Sequence, residues 1–527
     1  MSRFAVLITA VTLTHSHAAP AQSRPVDVLI RGGTVVDGSG GPPRVTDVGI
    51  RGQRIVFIGD AASSRIVAVK TITARGLFVA PGFIDPHTHT FDDLGSPVRR
   101  ANVPFLMQGV TTIITGNDGG GPIEIAKALD LWRKQGIGTN AALLVGQGTV
   151  RRRVLGMSDA KPTAAQLDSM RTLVANAMRE GALGMSTGLY YAPGSYASTE
   201  EVIELAKVAA AAGGIYDSHL RDESSYTVGL IGAVTEALRI GREARIPIHI
   251  SHIKALGTDV WGKSTEVIAL IQDARKEGMD VTADQYPYTA SGSSVGASLL
   301  PRWAEVGGRD SLRARIDDPA VHTKLAAAMR ENLRRRGGAE ALLITSTRDT
   351  TILGKTLAAV AVTRRVDPVE AAMSIIHEGD AGVASFNMKD SDIDAFMIQD
   401  FVSTGSDGSE GHPRKYGTFP KKLHEYVFTR KLITLPFAIR ASGARTAEAF
   451  HIPQRGQLKE GWFADVIVFD AKQLADRATY REPELLASGM RYVFVNGTAA
   501  VVAGTYSGAL AGIPLSRPGS AGATPPK

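Results

Sequence analysis

The sequence predicts an α/β protein built on a (β/α)8 TIM-like barrel, and three observations lead there. Eight apolar strand candidates end near His89, Asp118, Val145, Ser186, His219, His252, Tyr286 and Asp407. Helical stretches alternate with them, as in the apolar repeat Val202, Leu205, Ala206 and Ala209 before the fifth strand. Imidazoles and carboxylates sit at several of those strand ends, the face on which a barrel carries its chemistry. An open doubly wound sheet is the alternative fold for the same alternation.

The elements follow in chain order. Residues 1–21 read as a signal peptide: Arg3 gives a positive start, an apolar stretch runs from Phe4 to Leu13, and Ala19-Pro20-Ala21 is a small-residue cleavage site before Gln22. That stretch is too short for a stable membrane anchor, so a periplasmic or secreted protein is expected. Residues 26–80 and 450–510 share short β-rich runs, such as Val28-Leu29-Ile30 and Val466-Ile467-Val468-Phe469, and the turn Asn496-Gly497. Together they predict a small β-sandwich domain assembled from both chain ends. Residues 81–449 supply the barrel. Within it, Ser198 and Glu201 have capping-box spacing before a helix ended by Gly213-Gly214. Strands are expected at 215–219, 246–252 and 279–286, and helices at 229–245 and 264–277. Residues 287–400 are far too long for a loop and predict an inserted subdomain over the barrel mouth, between strands seven and eight. The Pro/Gly/Ala/Ser-rich tail 516–527 is expected to be disordered.

Composition narrows the function. The 527 residues are 44% hydrophobic and 21% charged, which excludes a disordered chain or a coiled coil. There is no cysteine, so disulfides, thiolate-bound zinc, iron–sulfur clusters and a thiol nucleophile are excluded. The net charge of +7 raises nucleic acid as a partner, yet the basic clusters Arg151-Arg152-Arg153 and Arg334-Arg335-Arg336 are short and lack interleaved aromatics. No nucleic-acid partner is expected; the excess reads as solvated surface with some attraction for anionic ligands. Nothing specifies an oligomeric state.

Chemistry concentrates at the strand ends. Phe83-Ile84-Asp85-Pro86-His87-Thr88-His89 closes the first strand with two histidines at i and i+2, a spacing that points both rings to one side. Asp118 closes the second, His219 the fifth, His252 the sixth and Asp407 the eighth. Six such groups gathered at one face are costly to bury unpaired, and a divalent cation would compensate them. With N and O donors and no sulfur, Zn2+ is the first expectation, as one or two ions, with Mn2+, Co2+ or Fe2+ as alternatives.

The same residues carry a family resemblance. Val35-Val36-Asp37-Gly38 followed by the 81–89 segment resembles the amidohydrolase superfamily. Gly184-Met185-Ser186-Thr187-Gly188, Ser218-His219-Leu220-Arg221-Asp222-Glu223, Ser251-His252-Ile253-Lys254, Asp284-Gln285-Tyr286-Pro287-Tyr288, Ser406-Asp407-Gly408 and His412-Pro413-Arg414 resemble the N-acyl-D-amino-acid deacylases, over residues 26–504. The resemblance implies a metal-dependent hydrolase of small N-acylated D-amino acids. It implies that His219 and His252 hold the tight ion, that His87 and His89 belong to a weaker position, and that Asp407 is the catalytic acid/base. Lys254, Tyr286 and Arg414 would grip the substrate α-carboxylate, with Arg221 a further carboxylate contact or a support behind the ligands. Tyr286 and Tyr288 divide between pocket and core in an open order, and His249 reads as structural. The chain departs from the family at Asp118, where relatives carry Cys, and at Gln147, where they often carry His. Strand four has no lysine, which counts against a carbamylated bridge. Opening of a cyclic amide, dipeptide cleavage and a non-catalytic periplasmic binding protein are the alternatives.

Overall fold

The computed structural model describes Met1 and residues 25–521. The expected signal peptide falls on residues outside that set. Eight parallel strands form the centre: β1 (Phe83–Thr88), β2 (Val110–Thr115), β3 (Asn140–Leu143 continued by Val145–Gly146), β4 (Gly184–Gly188), β5 (Ile215–His219), β6 (Ile248–Ile250), β7 (Val281–Gln285) and β8 (Val402–Thr404). Each pairs in parallel with the next. A parallel bridge from Thr88 to Gly408 joins the eighth to the first, so the barrel closes. Near-continuous burial along these strands reflects coverage on both faces.

The helices between strands form the outer ring, and their ends follow local chemistry. Thr163 and Gln166 make a reciprocal capping box for Ala164–Glu180. At the next helix Ser198 accepts from the Glu201 amide, but the Glu201 carboxylate does not reach back. It binds the buried Arg151 instead.

Both chain ends contribute to one nine-stranded sheet, with Phe78–Pro81 of the N-terminal part pairing antiparallel to Val466–Phe469 of the C-terminal part. Ile30, Val48, Ile55, Val79, Val466 and Phe494 share its core. Between β7 and β8 lies a three-stranded sheet, Ala290–Ser294, Gly382–Phe386 and Leu342–Ser346, with helices that bury a separate core around Leu299, Leu325, Met329 and Val360.

Two expectations change. The insertion does not run to residue 400, because helix Asp390–Met397 packs on the barrel helix Ser264–Lys276 and belongs to the ring. The tail is not free from Ser516: the Arg517 amide donates to the Gly181 carbonyl at 3.0 Å and that of Ala521 to Arg179 at 3.1 Å. The rest of the tail lies outside the described residues. Among the described residues no helix is long and apolar enough to cross a membrane.

Candidate metal centre

Strand ends β1, β2, β5, β6 and β8 bring His87, His89, Asp118, His219, His252 and Asp407 into two groups that share Asp118. One holds His87, His89, Asp118 and Asp407; the other Asp118, His219 and His252, with donor atoms of each group within 4.8 Å of one another. Backbone turns aim three of these side chains. Asp118, His252 and Asp407 take φ of 56°, 33° and 49°, a left-handed conformation that costs a non-glycine residue about 1 kcal/mol or more. Gly116, at φ 89°, makes the turn before Asp118 possible, since a Cβ there would meet the Leu144 carbonyl at 2.5 Å.

Asp118 Oδ1 lies 3.4 Å from His87 Nε2 and 3.5 Å from both His219 Nδ1 and His252 Nε2. His219 Nδ1 and His252 Nε2 face each other at 2.9 Å. His89 Nε2 is 3.0 Å from Asp407 Oδ1 and 3.6 Å from Asp118 Oδ2. Donors bound tetrahedrally at ~2.0–2.1 Å stand ~3.3 Å apart, the spacing seen among these atoms. His87 Nδ1 and Nε2, Asp118 Oδ1 and His219 Nε2 are buried without a hydrogen-bond partner. A divalent cation fits this donor set.

The electrostatics demand the same positive charge. Burial pushes the His87 imidazole down, yet the Asp118 carboxylate outweighs it and lifts the group to about 9. Burial and Lys254 oppose protonation of His252, but Asp407, Glu223 and Asp118 raise it to about 10. Burial disfavours the Asp118 carboxylate, and the three facing imidazoles still hold it well below its ordinary range. In the absence of an ion, protons supply the missing charge.

Around the ligands stands a supporting layer. Asp284, buried, lies 2.9 Å from His249 Nε2 and 3.9 Å from His87 Nδ1. Gly405 leaves room for it, since a Cβ there would meet Asp284 Oδ1 at 2.1 Å. His249, with its other nitrogen 2.8 Å from Thr282 Oγ1, is outside both ligand groups. Ser186 on β4 donates to the Gly116 carbonyl and accepts from the Gly119 amide. Gln147 starts a helix and donates to Glu201, and it does not line the cavity.

The metal groups open into a cavity of ≈ 410 Å3. Lys254, Tyr286 and Arg414 line it. Lys254 Nζ donates to Glu223 Oε1 at 2.6 Å. Arg414 Nη1 is 2.7 Å from Asp407 Oδ2, and its guanidinium stacks 4.8 Å over the Tyr286 ring. The Tyr286 hydroxyl is buried without a partner. Tyr288 is not part of the lining and sets its ring edge against His412 at 5.6 Å. Burial opposes ionisation of Asp407, but Arg414 and the imidazoles hold its carboxyl far below the usual range.

Arg221 does not reach this cavity. It grips Glu236 with two bonds of 2.8 and 2.9 Å and donates to the Ser195 and Ala197 carbonyls, so its role as a substrate contact is withdrawn. Sequence reasoning passed over Glu223, four residues beyond His219, which lies 3.2 Å from His252 Nδ1. It also passed over Tyr191, whose ring lies 4.7 Å from His219. The run Arg221-Asp222-Glu223 offered three charged candidates, and only the loop geometry separates them.

Comparison with known proteins adds the family. The amidohydrolase family model matches residues 70–501. D-aminoacylase of Alcaligenes xylosoxydans xylosoxydans is 34% identical over an alignment covering 94% of this chain and 99% of that protein. A solved D-aminoacylase with a binuclear metal centre superposes with a TM-score of 0.80 at 32% identity, covering 94% of this chain and 100% of that one. The N-acyl-D-glutamate deacylase of Bordetella bronchiseptica, complexed with zinc and a phosphonate inhibitor that mimics the tetrahedral intermediate, gives 0.79 at 30% identity over the same shares. A match of this length to the family, on a closed barrel with clustered imidazoles and carboxylates, places the chain in the amidohydrolase family.

Proposed function

We propose that this protein hydrolyses the amide bond of N-acyl-D-amino acids to a carboxylate and a free D-amino acid. The observation that carries the reading is the convergence of six N and O donor residues, Asp407 among them, on a cavity that also holds Lys254, Tyr286 and Arg414. Relatives at 34% and 32% identity are D-aminoacylases, and the solved one has a binuclear centre. On this reading Asp118, His219 and His252 hold one ion, and His87, His89 and Asp407 share a second position with Asp118. Zn2+ is the first choice, as in the Bordetella deacylase. Such an ion supplies Lewis-acid polarisation of the amide carbonyl and a water acidified to a pKa near ~7.

The chain's own groups do the rest. Asp407 accepts a proton from the attacking water and delivers it to the amide nitrogen as the C–N bond breaks. In the resting protein Arg414 neutralises Asp407 at 2.7 Å, which weakens it as a base. A substrate α-carboxylate competes for that guanidinium with two parallel hydrogen bonds, and Asp407 regains basicity as Arg414 turns to it. Lys254, fixed by Glu223, and the unpartnered Tyr286 hydroxyl complete the carboxylate grip. Burial, with Asp118, Glu223 and Asp407 nearby, pushes the Tyr191 phenol well up, so it stays a neutral O–H donor for the developing oxyanion.

We read the two-ended sheet as the β-sandwich unit and the insertion as the part that shapes the pocket, because Ser293, Thr345 and Val383 line it. The N-terminal segment supports export to the periplasm; a mature chain beginning at Gln22 is the expected result of N-terminal sequencing. The test of function is a panel of N-acetyl-D- and N-acetyl-L-amino acids, dipeptides and dihydroorotate with metal-loaded protein. Release of D-amino acids is expected, and L-preference or ring opening alone would sink the proposal.

A further inference from the structure

The second arginine triplet has no place in the chemistry above, and the structure does not leave it all on the surface. Arg336, at the end of helix Pro319–Arg335 in the insertion, is 3% exposed and lines the same cavity as the metal groups. Its Nη2 donates to the Tyr190 hydroxyl at 3.3 Å, which itself donates to the Ala297 carbonyl. Its Nε and Nη1 make no other hydrogen bond, and the buried Tyr226 hydroxyl sits beside it, on a ring 5.8 Å from the guanidinium carbon. Among the described residues the groups that favour its charge are the tyrosines 190, 191 and 226; no carboxylate pairs with it.

This contrasts with the other cations of the pocket. Arg414 faces Asp407, and Lys254 faces Glu223. A buried guanidinium without an anion is expensive, because desolvation is not offset by any partner. Arginine carries five N–H donors, and those left open on Nε and Nη1 beside the Tyr226 phenol can donate to the oxygens of a carboxylate. The α-carboxylate already has three receptors in Arg414, Lys254 and Tyr286.

We propose that Arg336, with Tyr226, is the receptor for a second carboxylate of the substrate, making doubly acidic N-acyl-D-amino acids the preferred class. The carboxylate comes from an acidic amino-acid side chain or from a dicarboxylic acyl group. The inference rests on the deacylase reading for the substrate, but the anion site itself does not require turnover.

Two measurements on metal-loaded full-length protein test it. In the first, glutarate, a dicarboxylate with no amide bond, is titrated calorimetrically into wild type, Arg336→Met and Arg336→Lys. Binding at least about tenfold weaker in Arg336→Met, with Arg336→Lys between, is expected, since hydrogen bonds to charged groups are worth about 10- to 100-fold. In the second, kcat/KM is compared for N-acetyl-D-glutamate, N-succinyl-D-leucine and N-acetyl-D-leucine. Wild type should favour one of the two dicarboxylates, which identifies the source of the anion, and Arg336→Met should harm that substrate at least about tenfold more than N-acetyl-D-leucine, chiefly through KM. Equal losses on all three, or equal glutarate binding by all variants, overturn the proposal. If glutarate binding depends on Arg336 while none of the three is hydrolysed, the anion site stands and the deacylase reading falls. Thermal melts control for folding: Arg336→Met loses no ion pair and should melt no lower than wild type.

Discussion

Asp118→Asn keeps the shape of the shared ligand and removes its charge. The carboxylate faces three imidazole nitrogens at 3.4, 3.5 and 3.5 Å. At that range, with an effective dielectric of ~20, each unit of positive charge gains about 5 kcal/mol from it. The amide oxygen restores part of this, so a net loss of about 3–4 kcal/mol in ion binding is expected, or 10²- to 10³-fold in Kd. Protons report the same change. In the ion-free protein His87 titrates at about 9 and His252 at about 10, so both are protonated at pH 7.5 and an entering ion must displace their protons. Wild-type affinity therefore rises with pH up to about 10. Without Asp118, burial dominates at His87, its proton is already gone at neutral pH, and the rise flattens. Calorimetry on chelator-stripped protein in buffers of different ionisation enthalpy counts the protons, and elemental analysis counts the ions. An Asp118→Asn protein that binds within threefold of wild type and releases as many protons would refute the charge argument. Asp118→Cys restores the softer donor and should shift preference toward Zn2+ over Mn2+.

Three further substitutions separate roles within the site. Asp407→Asn should retain the ion held by Asp118, His219 and His252 while kcat falls about 10²- to 10⁴-fold; near-normal turnover removes Asp407 from proton transfer. Arg414→Lys cannot form the two-bond fork and should raise KM for carboxylate substrates about 10- to 100-fold, and unchanged steady-state constants reject the grip. Arg221→Met strands Glu236 and two carbonyls, so a loss of about 3 kcal/mol in chemical denaturation with near-normal KM is expected; a large KM change instead would return Arg221 to the substrate.

The barrel was legible because most of its strands end where an apolar run meets a polar or ionisable residue, and that signal is local. Residues 110–115 and 215–219 can be read with no knowledge of their partners. The end of the insertion was not legible, since helix Asp390–Met397 has the same amphipathic pattern whether it packs on the barrel or on the insertion. At the site, the i and i+2 histidines carry their geometry in their spacing. Arg221 and Glu223 do not: both follow His219 in one loop, and which enters the cavity depends on Glu236, seen only once the helix Gly229–Ala244 is packed. Arg151 and Arg336 defeated composition-level reasoning for a related reason. Each belongs to a triplet that reads as surface charge, and each is buried, Arg151 against Glu201 of helix Thr199–Ala211 and Arg336 in the wall of the pocket it lines.

The Arg414–Asp407 contact bears on why a deacylase would refuse uncharged amides. If Arg414 only bound the substrate, an amide without a carboxylate would bind weakly but react at a normal rate once bound. The same guanidinium holds Asp407 ionised and weakly basic, and on the proposed reading a substrate carboxylate draws it away. An uncharged amide therefore meets a depressed base, and the penalty falls on kcat as well as KM, which is differential stabilisation of the transition state. Selectivity of this kind needs no steric rejection, consistent with a cavity of ≈ 410 Å3 that has room to spare around a small acyl amino acid. It also explains why His412 keeps its place beside the pair: burial and Arg414 push its imidazole well down, so it stays neutral, accepts from the Arg414 backbone amide at 3.1 Å and adds no second positive charge to compete for Asp407.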